Sequence, residues 1–443
     1  MIFSSIEFVL FFIFFILSIK LLKKNQQNLI ILFSLFFYGF WNISFVLLIL
    51  YFCTATYFFI RKNNFIKLSI FFIIAPLLYF KYSTFLINTL SLNFLNSFAY
   101  TGEIPLAISF ITFTAIAAII DTKNKVFDKH SVNFYSISEF ILFFPQLIAG
   151  PILRLNELIP QLKNKILFKK ENIKFGIILF SVGFIKKIFF ADNIGIVIDP
   201  IFENPDLFTN TDIFKSFILF PLQIYFDFSG YVDMALGSSL IIGIELPINF
   251  NKPYLTGSIT QFWRSWHITL SRWFKDYIYI PLGGSKNDKL STSRNLIITM
   301  SVAGLWHGAS LNFLAWGFLN GLLLCIEKNF TKNNSVTFWK IILNCFLVFN
   351  LWIIFRINDF NDLINYFIIF YGNIFNIIDL ENLILLLIVI FSIFLQKYDN
   401  YYYLKDFVKK LNFFSVIFFF IIIIMTGLAI NTGQSEKFIY FQF

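Results

Sequence analysis

Three histidines occur in 443 residues, and the company kept by two of them suggests chemistry. His307 closes the run Ala303, Gly304, Leu305, Trp306 and is followed by Gly308, Ala309 and Ser310. Small residues on both sides leave space beside the imidazole. An ionisable side chain inside an apolar run is costly in a membrane and marks a candidate functional group. Histidine is also the side chain best suited to take a proton from a weak nucleophile at neutral pH. The opposing reading is close helix packing through Gly304 and Gly308, in the small-xxx-small pattern.

His267 lies in the stretch Phe262–Phe274. There Trp263, Trp266, Leu270 and Trp273 recur at i, i+3, i+7 and i+10, which predicts one amphipathic helix. Arg264, His267 and Ser271 fall on the adjacent face. Tryptophans on one side and cations on the other describe an interfacial helix, whose arginines could do no more than hold lipid phosphates. His130 sits between Lys129 and Ser131 in a polar loop and reads as solvated.

A third set lies within the apolar run Phe214–Ile242: Gln223, Tyr225, Asp227, Ser229, Tyr231 and Asp233. Such groups could line an aqueous path or orient a histidine. Equally, the run could be two shorter helices with a polar break between them. Cys53, Cys325 and Cys345 are far apart and form no C-x-x-C pair, so neither a disulfide framework nor a metal site is expected.

These residues need elements to position them, and composition says which kind. Hydrophobic residues make up 58% of the chain and charged residues 14%, with 66 phenylalanines. A soluble domain is about 45–50% apolar and about 25% charged. The balance excludes a soluble enzyme, a disordered chain and a coiled coil. It predicts an all-α, polytopic integral membrane protein with about 11–13 transmembrane helices, since a span needs about 20 apolar residues. The candidate runs are Ile2–Leu22, Leu29–Trp41, Phe45–Ile60, Leu68–Phe85, Ile104–Ile120, Phe140–Gly150, Ile173–Phe190, Phe214–Ile242, Leu296–Ser310, Leu311–Glu327, Trp339–Phe355, Leu383–Leu395 and Phe414–Ile430. Pro145, Gly150 and Pro151 make Phe140–Gly150 a candidate re-entrant helix. Re-entrant and interfacial helices would then surround a central cavity. Residues 1–443 read as one domain.

The net charge is +10. The basic residues gather at the ends of apolar runs, such as Lys20, Lys23 and Lys24, or Arg61, Lys62 and Lys67. That is the pattern of a cytoplasmic membrane face and not of nucleic-acid binding. Tyr82–Thr122 and Ile188–Phe214 carry no Lys or Arg. The expected topology has the N-terminus outside and the basic segment Asn251–Arg294 in the cytoplasm. The first run lacks a basic leader and a small-residue cleavage site, so it reads as a retained span. No internal repeat is evident, which weighs against a transporter of two related halves.

The block Trp263–Trp273, followed by Tyr279-Ile-Pro-Leu-Gly-Gly and Gly304-Leu-Trp-His-Gly, resembles the signature of the membrane-bound O-acyltransferases. Its likeness is to the bacterial branch that acylates cell-envelope polymers: alginate, peptidoglycan and teichoic acid. Pro105–Phe113, Pro145–Ile152, Phe226–Ala235 and the closing Phe438–Phe443 are similar to further blocks of that branch, and Asp121, Lys186 and Asp192 also fit its pattern. Ala107 departs from it, standing where the branch has glycine.

The resemblance implies transfer of an acyl group from a cytoplasmic thioester, acetyl-coenzyme A, across the inner membrane. The acceptor would be a hydroxyl on a polysaccharide or on a periplasmic partner of the SGNH type with a Ser-His-Asp site. Peptidoglycan is the first choice of polymer, and alginate or another exopolysaccharide the next. His307 would be the general base. His267 would orient the thioester or relay protons, and either histidine could carry a covalent acetyl group. Arg264 and Arg272, flanked by Trp263 and Trp266, would hold the phosphates of the donor, because a guanidinium matches phosphate geometry. No metal is implied, since a thioester is already activated. D-alanyl transfer from a carrier protein is the alternative within the family. A transporter without chemistry, or a scaffold for an envelope acetylase, is the alternative outside it.

Overall fold

The computed structural model describes residues 1–62, 65–286, 288–330, 336–372 and 380–430. The closing block Phe438–Phe443 lies outside them. The described residues form helices and connecting turns with no strand among them, as an all-α chain requires. They fold as two compact units. Among the described residues, the first comprises Met1–Phe184, Tyr231–Pro247 and residues 411–430, and the second Ile185–Gly230 and Ile248–Lys410.

Every predicted apolar run contains a helix. Among the described residues, four helical stretches are both long and apolar enough for a simple membrane crossing: Ile43–Lys62, Ile66–Thr89, Phe338–Arg356 and Phe413–Ile430. The other runs are helical but shorter, bent or more polar. Helices Asp192–Glu203 and Phe360–Gly372 were not predicted, because acids and amides interrupt their apolar residues.

In the first unit, helix Ile6–Leu21 starts where the Ser5 hydroxyl accepts the Phe8 N–H. One face buries Phe8, Phe11, Phe12, Phe15 and Ile19, while the opposite face exposes Leu10, Ile13, Phe14 and Leu17. A helix apolar on every side suits a lipid surround. Phe144 fills the space beside it, with ring centroids 5.2 Å from Phe11 and 5.1 Å from Phe15. Phe144 belongs to the predicted re-entrant run. The chain there is helical over Phe134–Leu142, breaks at Phe143, and makes one further turn at Phe144–Leu147 with Pro145 in its first turn. The broken backbone is fully buried and is satisfied from outside the helix. Ser34 accepts the Phe144 N–H at 3.2 Å, and Gln146 donates to the Phe140 carbonyl at 2.8 Å. Non-helical backbone survives at membrane depth on those terms.

The polar run proves to be one uninterrupted helix of 32 residues, Asn210–Ile241, despite Pro221. The reading as two shorter helices is therefore overturned. The helix gives its first part to the second unit and its last turns to the first. In the second unit, Lys289–His307 and Leu311–Phe330 form a hairpin joined by Gly308–Ser310. The two helices meet through glycines. A Cβ on Gly304 would overlap the Phe313 carbonyl and lie 3.0 Å from Gly317, and one on Gly317 would overlap the Met300 carbonyl. Close packing through Gly304 and Gly308 is real: Gly304 meets Gly317 on the facing helix, and a Cβ on Gly308 would overlap the Phe313 ring of that same facing helix.

Candidate active site

The predicted amphipathic helix over Phe262–Phe274 is two short helices, Ile259–Trp263 and Ile268–Phe274. Between them His267 adopts the left-handed conformation, with φ +42°. Helical periodicity cannot reveal such a break, because the tryptophans keep their spacing while the backbone turns. His is among the few non-glycine residues enriched in that region. The turn is held by its surroundings. Asn249 accepts the Ile268 N–H with its carbonyl at 3.0 Å, and its side-chain oxygen accepts the Thr269 N–H at 3.0 Å and hydroxyl at 2.7 Å. A strained backbone that its neighbours over-determine is a pointer to a functional site.

The break separates the side chains expected to share one face. Trp263 and Arg264 line a cavity of about 800 Å³, as do Arg272 and His307. Trp266 is buried behind it, 4.8 Å from the Trp352 ring and 5.0 Å from Phe250. His267 is fully buried, edge-on to Phe228 at 4.7 Å and 6.3 Å from Trp306, and is not among the residues lining this cavity. It lies outside the stretches long and apolar enough to cross a membrane, and burial pushes its pKa down to about 3, which favours the neutral ring.

His307 is the last residue of its helix, before Gly308 turns extended. Aromatic rings surround it: Trp306 at 4.7 Å, Phe355 at 5.0 Å and Trp316 at 5.2 Å. The hairpin glycines bring Trp316 to this position. The Trp316 carbonyl accepts from Asn320, whose side-chain oxygen in turn accepts the Trp263 indole N–H at 3.1 Å. One polar chain therefore ties the Trp263 wall to the His307 hairpin.

The cavity mouth is cationic in a way the sequence reading missed. Lys275 and Lys328 join Arg264 and Arg272, against the single carboxylate of Glu327, among the described residues lining it. Glu327 is itself occupied in accepting the Thr260 N–H at 3.0 Å. Lys275 opens a π-helical turn, Lys275–Tyr279, and Lys328 donates to Ser285 at 2.9 Å. That contact depends on the Tyr279–Gly284 turn, where Gly283 at φ +108° and Gly284 at φ +56° supply a conformation that L side chains resist. The signal in the sequence was Lys275, spaced three residues from Arg272 and capping the C-terminus of its short helix. Lys328 is distant in sequence and carried no signal.

The acid-bearing run is placed differently from the expected cavity lining. Gln223, Asp227 and Ser229 are buried in the second unit and Tyr231 in the first, where it packs on Phe3 at 4.7 Å. Asp233 is half-buried in the first unit. None of the five lines the cavity that holds His307. Asp227 instead faces Lys187 at 2.8 Å, and Lys187 also meets Asp192 at 2.8 Å. Tyr225 donates to Asp399 at 2.7 Å, and Lys186 pairs with the same carboxylate. His130 is exposed, as expected.

His307 thus stands at the wall of a cationic cavity, and comparison with known sequences places the chain in a family. Residues 33–361 match the sequence profile of MBOAT, the membrane-bound O-acyltransferase family. This chain belongs to that family. The MBOAT match takes in His267, His307 and the whole cavity. The chain is 36% identical over 369 residues to a peptidoglycan O-acetyltransferase of Helicobacter pylori, covering 74% of this chain and 70% of the relative. It is 36% identical over 289 residues to a probable alginate O-acetylase of Pseudomonas syringae, covering 63% of this chain and 55% of the relative. A teichoic acid D-alanyltransferase of Streptococcus thermophilus is 27% identical over 301 residues, 62% of this chain and 67% of that one. The chain thus spans little more than half the length of the alginate acetylases it matches. It is a membrane acyltransferase of the MBOAT family.

Proposed function

We propose that this protein is a membrane O-acetyltransferase of the bacterial inner membrane. In this reading it takes acetyl from cytoplasmic acetyl-coenzyme A and passes it outward for O-acetylation of a cell-envelope polysaccharide, peptidoglycan first. The observation that carries the reading is His307 on the wall of a cavity whose mouth bears Arg264, Arg272, Lys275 and Lys328. Its volume is in the range of small-molecule sites. The four cations hold the donor's phosphates, with the thioester directed toward His307. The named relatives support acetyl as the group and an envelope polymer as the destination.

The chemistry follows from the groups present. The His307 imidazole takes the proton of an acceptor hydroxyl as that oxygen attacks the thioester carbonyl. The carbon–sulfur bond breaks as the new ester forms, and the departing thiolate recovers the proton from the imidazolium. His267 lies outside the cavity lining and is kept neutral by burial, which favours a positioning role over proton transfer. The acceptor hydroxyl belongs to the polymer or to a periplasmic partner of the SGNH type. The N-terminus faces out, with Lys and Arg holding the cytoplasmic side.

The test uses purified protein with radiolabelled acetyl-coenzyme A, beside His307→Ala. Acetyl turnover should fall by about 10²–10⁴-fold in the variant, the usual worth of a general base. Turnover equal to wild type would remove His307 from the mechanism. The D-alanyltransferase relative gives a second arm, a D-alanyl carrier protein as donor. Turnover with that donor and none with acetyl-coenzyme A would replace acetyl as the transferred group.

A further inference from the structure

The first unit has a cavity of its own, about 840 Å³, at the end of helix Ile6–Leu21. Lys20, Lys23, Lys24, Lys163 and Lys165 line it, and no carboxylate is among the described residues that do. Its two walls come from distant parts of the chain, residues 19–30 and 162–168. They are joined where the Gln26 side chain accepts the Ile166 N–H at 3.0 Å. Two of the lysines are held in position. Lys20 lies 5.0 Å from the centre of the Phe168 ring, and Lys163 donates to the Ser131 carbonyl at 3.2 Å. A preformed hollow with five like charges repels itself and attracts an anion.

The hollow is also apolar in part. Ile19, Ile30 and Leu162 form buried wall, and Leu167 is exposed at the edge. Leu21 and Leu22 are exposed beside Lys20 and Lys23. A soluble anion makes no use of such surface. A phospholipid does, because its phosphate is joined through glycerol to acyl chains, and cations at the end of a membrane helix stand at headgroup depth. We propose that this cleft holds the phosphate of an anionic phospholipid, a glycerophosphate diester without a compensating ammonium. The site is separate from the His307 cavity, and the proposal does not depend on which acyl group that cavity transfers.

The test is native mass spectrometry of the full chain in neutral detergent. The probes are dioleoylphosphatidylglycerol and dioleoylphosphatidylcholine, with inorganic pyrophosphate as the soluble arm. Wild type should retain the glycerol lipid at least about tenfold over the choline lipid, and raised salt should weaken it. The variant K20Q/K23Q/K24Q/K163Q/K165Q should lose that preference. Lys23→Gln with Lys24→Gln, both exposed, should lose part of it and guards against a folding defect in the larger variant. Equal retention of the two lipids, or undiminished retention by both variants, overturns the proposal. Displacement of the lipid by millimolar pyrophosphate would make the ligand a soluble phosphate and overturn it too.

Discussion

The Lys187 ammonium lies 2.8 Å from the Asp227 carboxylate, with both side chains almost wholly buried. The next residue, Phe228, packs edge-on against His267 at 4.7 Å. The ion pair therefore fixes the segment of helix that walls His267. It also accounts for Asp227, one of the polar residues that looked like the lining of a water path.

The pair is asymmetric, and this yields a prediction. Lys187 serves Asp192 as well as Asp227, each at 2.8 Å. Lys187→Met leaves the buried Asp227 and the half-buried Asp192 without their shared cation, and should lower stability by about 3–5 kcal/mol. Asp227→Asn leaves Lys187 with Asp192 and should lower it by less. Thermal unfolding in detergent ranks the two. An Asp227→Asn loss as large as that of Lys187→Met would show that the lysine does not bridge.

A second prediction concerns the backbone at His267. Its φ of +42° favours Gly or Asn over any β-branched residue. His267→Asn should unfold at a higher temperature than His267→Val, although Val is the better match to the apolar surroundings. The reverse order would refute the left-handed turn.

The same residue sets a pH dependence. Its folded pKa of about 3 lies below the ordinary histidine value of about 6.5. Between those values the unfolded chain binds a proton that the folded chain does not, so stability falls as pH drops below about 6.5. The melting temperature of wild type should decline from pH 7 to pH 5, and that of His267→Asn should decline less steeply. Parallel curves would mean the ring is not buried neutral.

Ala107 gives a fourth test. It has φ +57° at the start of helix Ile108–Lys123. A Cβ is disfavoured there. Ala107→Gly should raise stability by up to about 1 kcal/mol, the left-handed penalty less the added freedom of glycine when unfolded. A lower melting temperature for the variant would contradict the conformation.

Much of the helical plan was legible in the sequence because a membrane makes stringent demands of it. Long apolar runs must be helical when no water is present to satisfy the backbone, and each such run is. Residue type and spacing also singled out His307, Arg264, Arg272 and Trp263, which line one cavity. Helices Asp192–Glu203 and Phe360–Gly372 escaped notice because their acids mask the apolar signal. Periodicity put Trp266 on one face with Trp263, and His267 on one face with Arg264, because it assumes a continuous helix.

By itself the sequence determined the class of the protein, since composition decides which solvent the chain can tolerate. It also determined the helical runs, and it offered candidates for proton transfer and phosphate binding. The tertiary structure alone decided the pairings. Lys187 between Asp192 and Asp227, Gly304 on Gly317, and Lys328 at the mouth shared with Arg264 each join residues far apart in the chain. Charge and shape complementarity act through space, and local periodicity carries no record of which distant side chain will arrive. The turn at His267 belongs to the same class, because Asn249 and the rings around the histidine hold a backbone angle that local propensity disfavours.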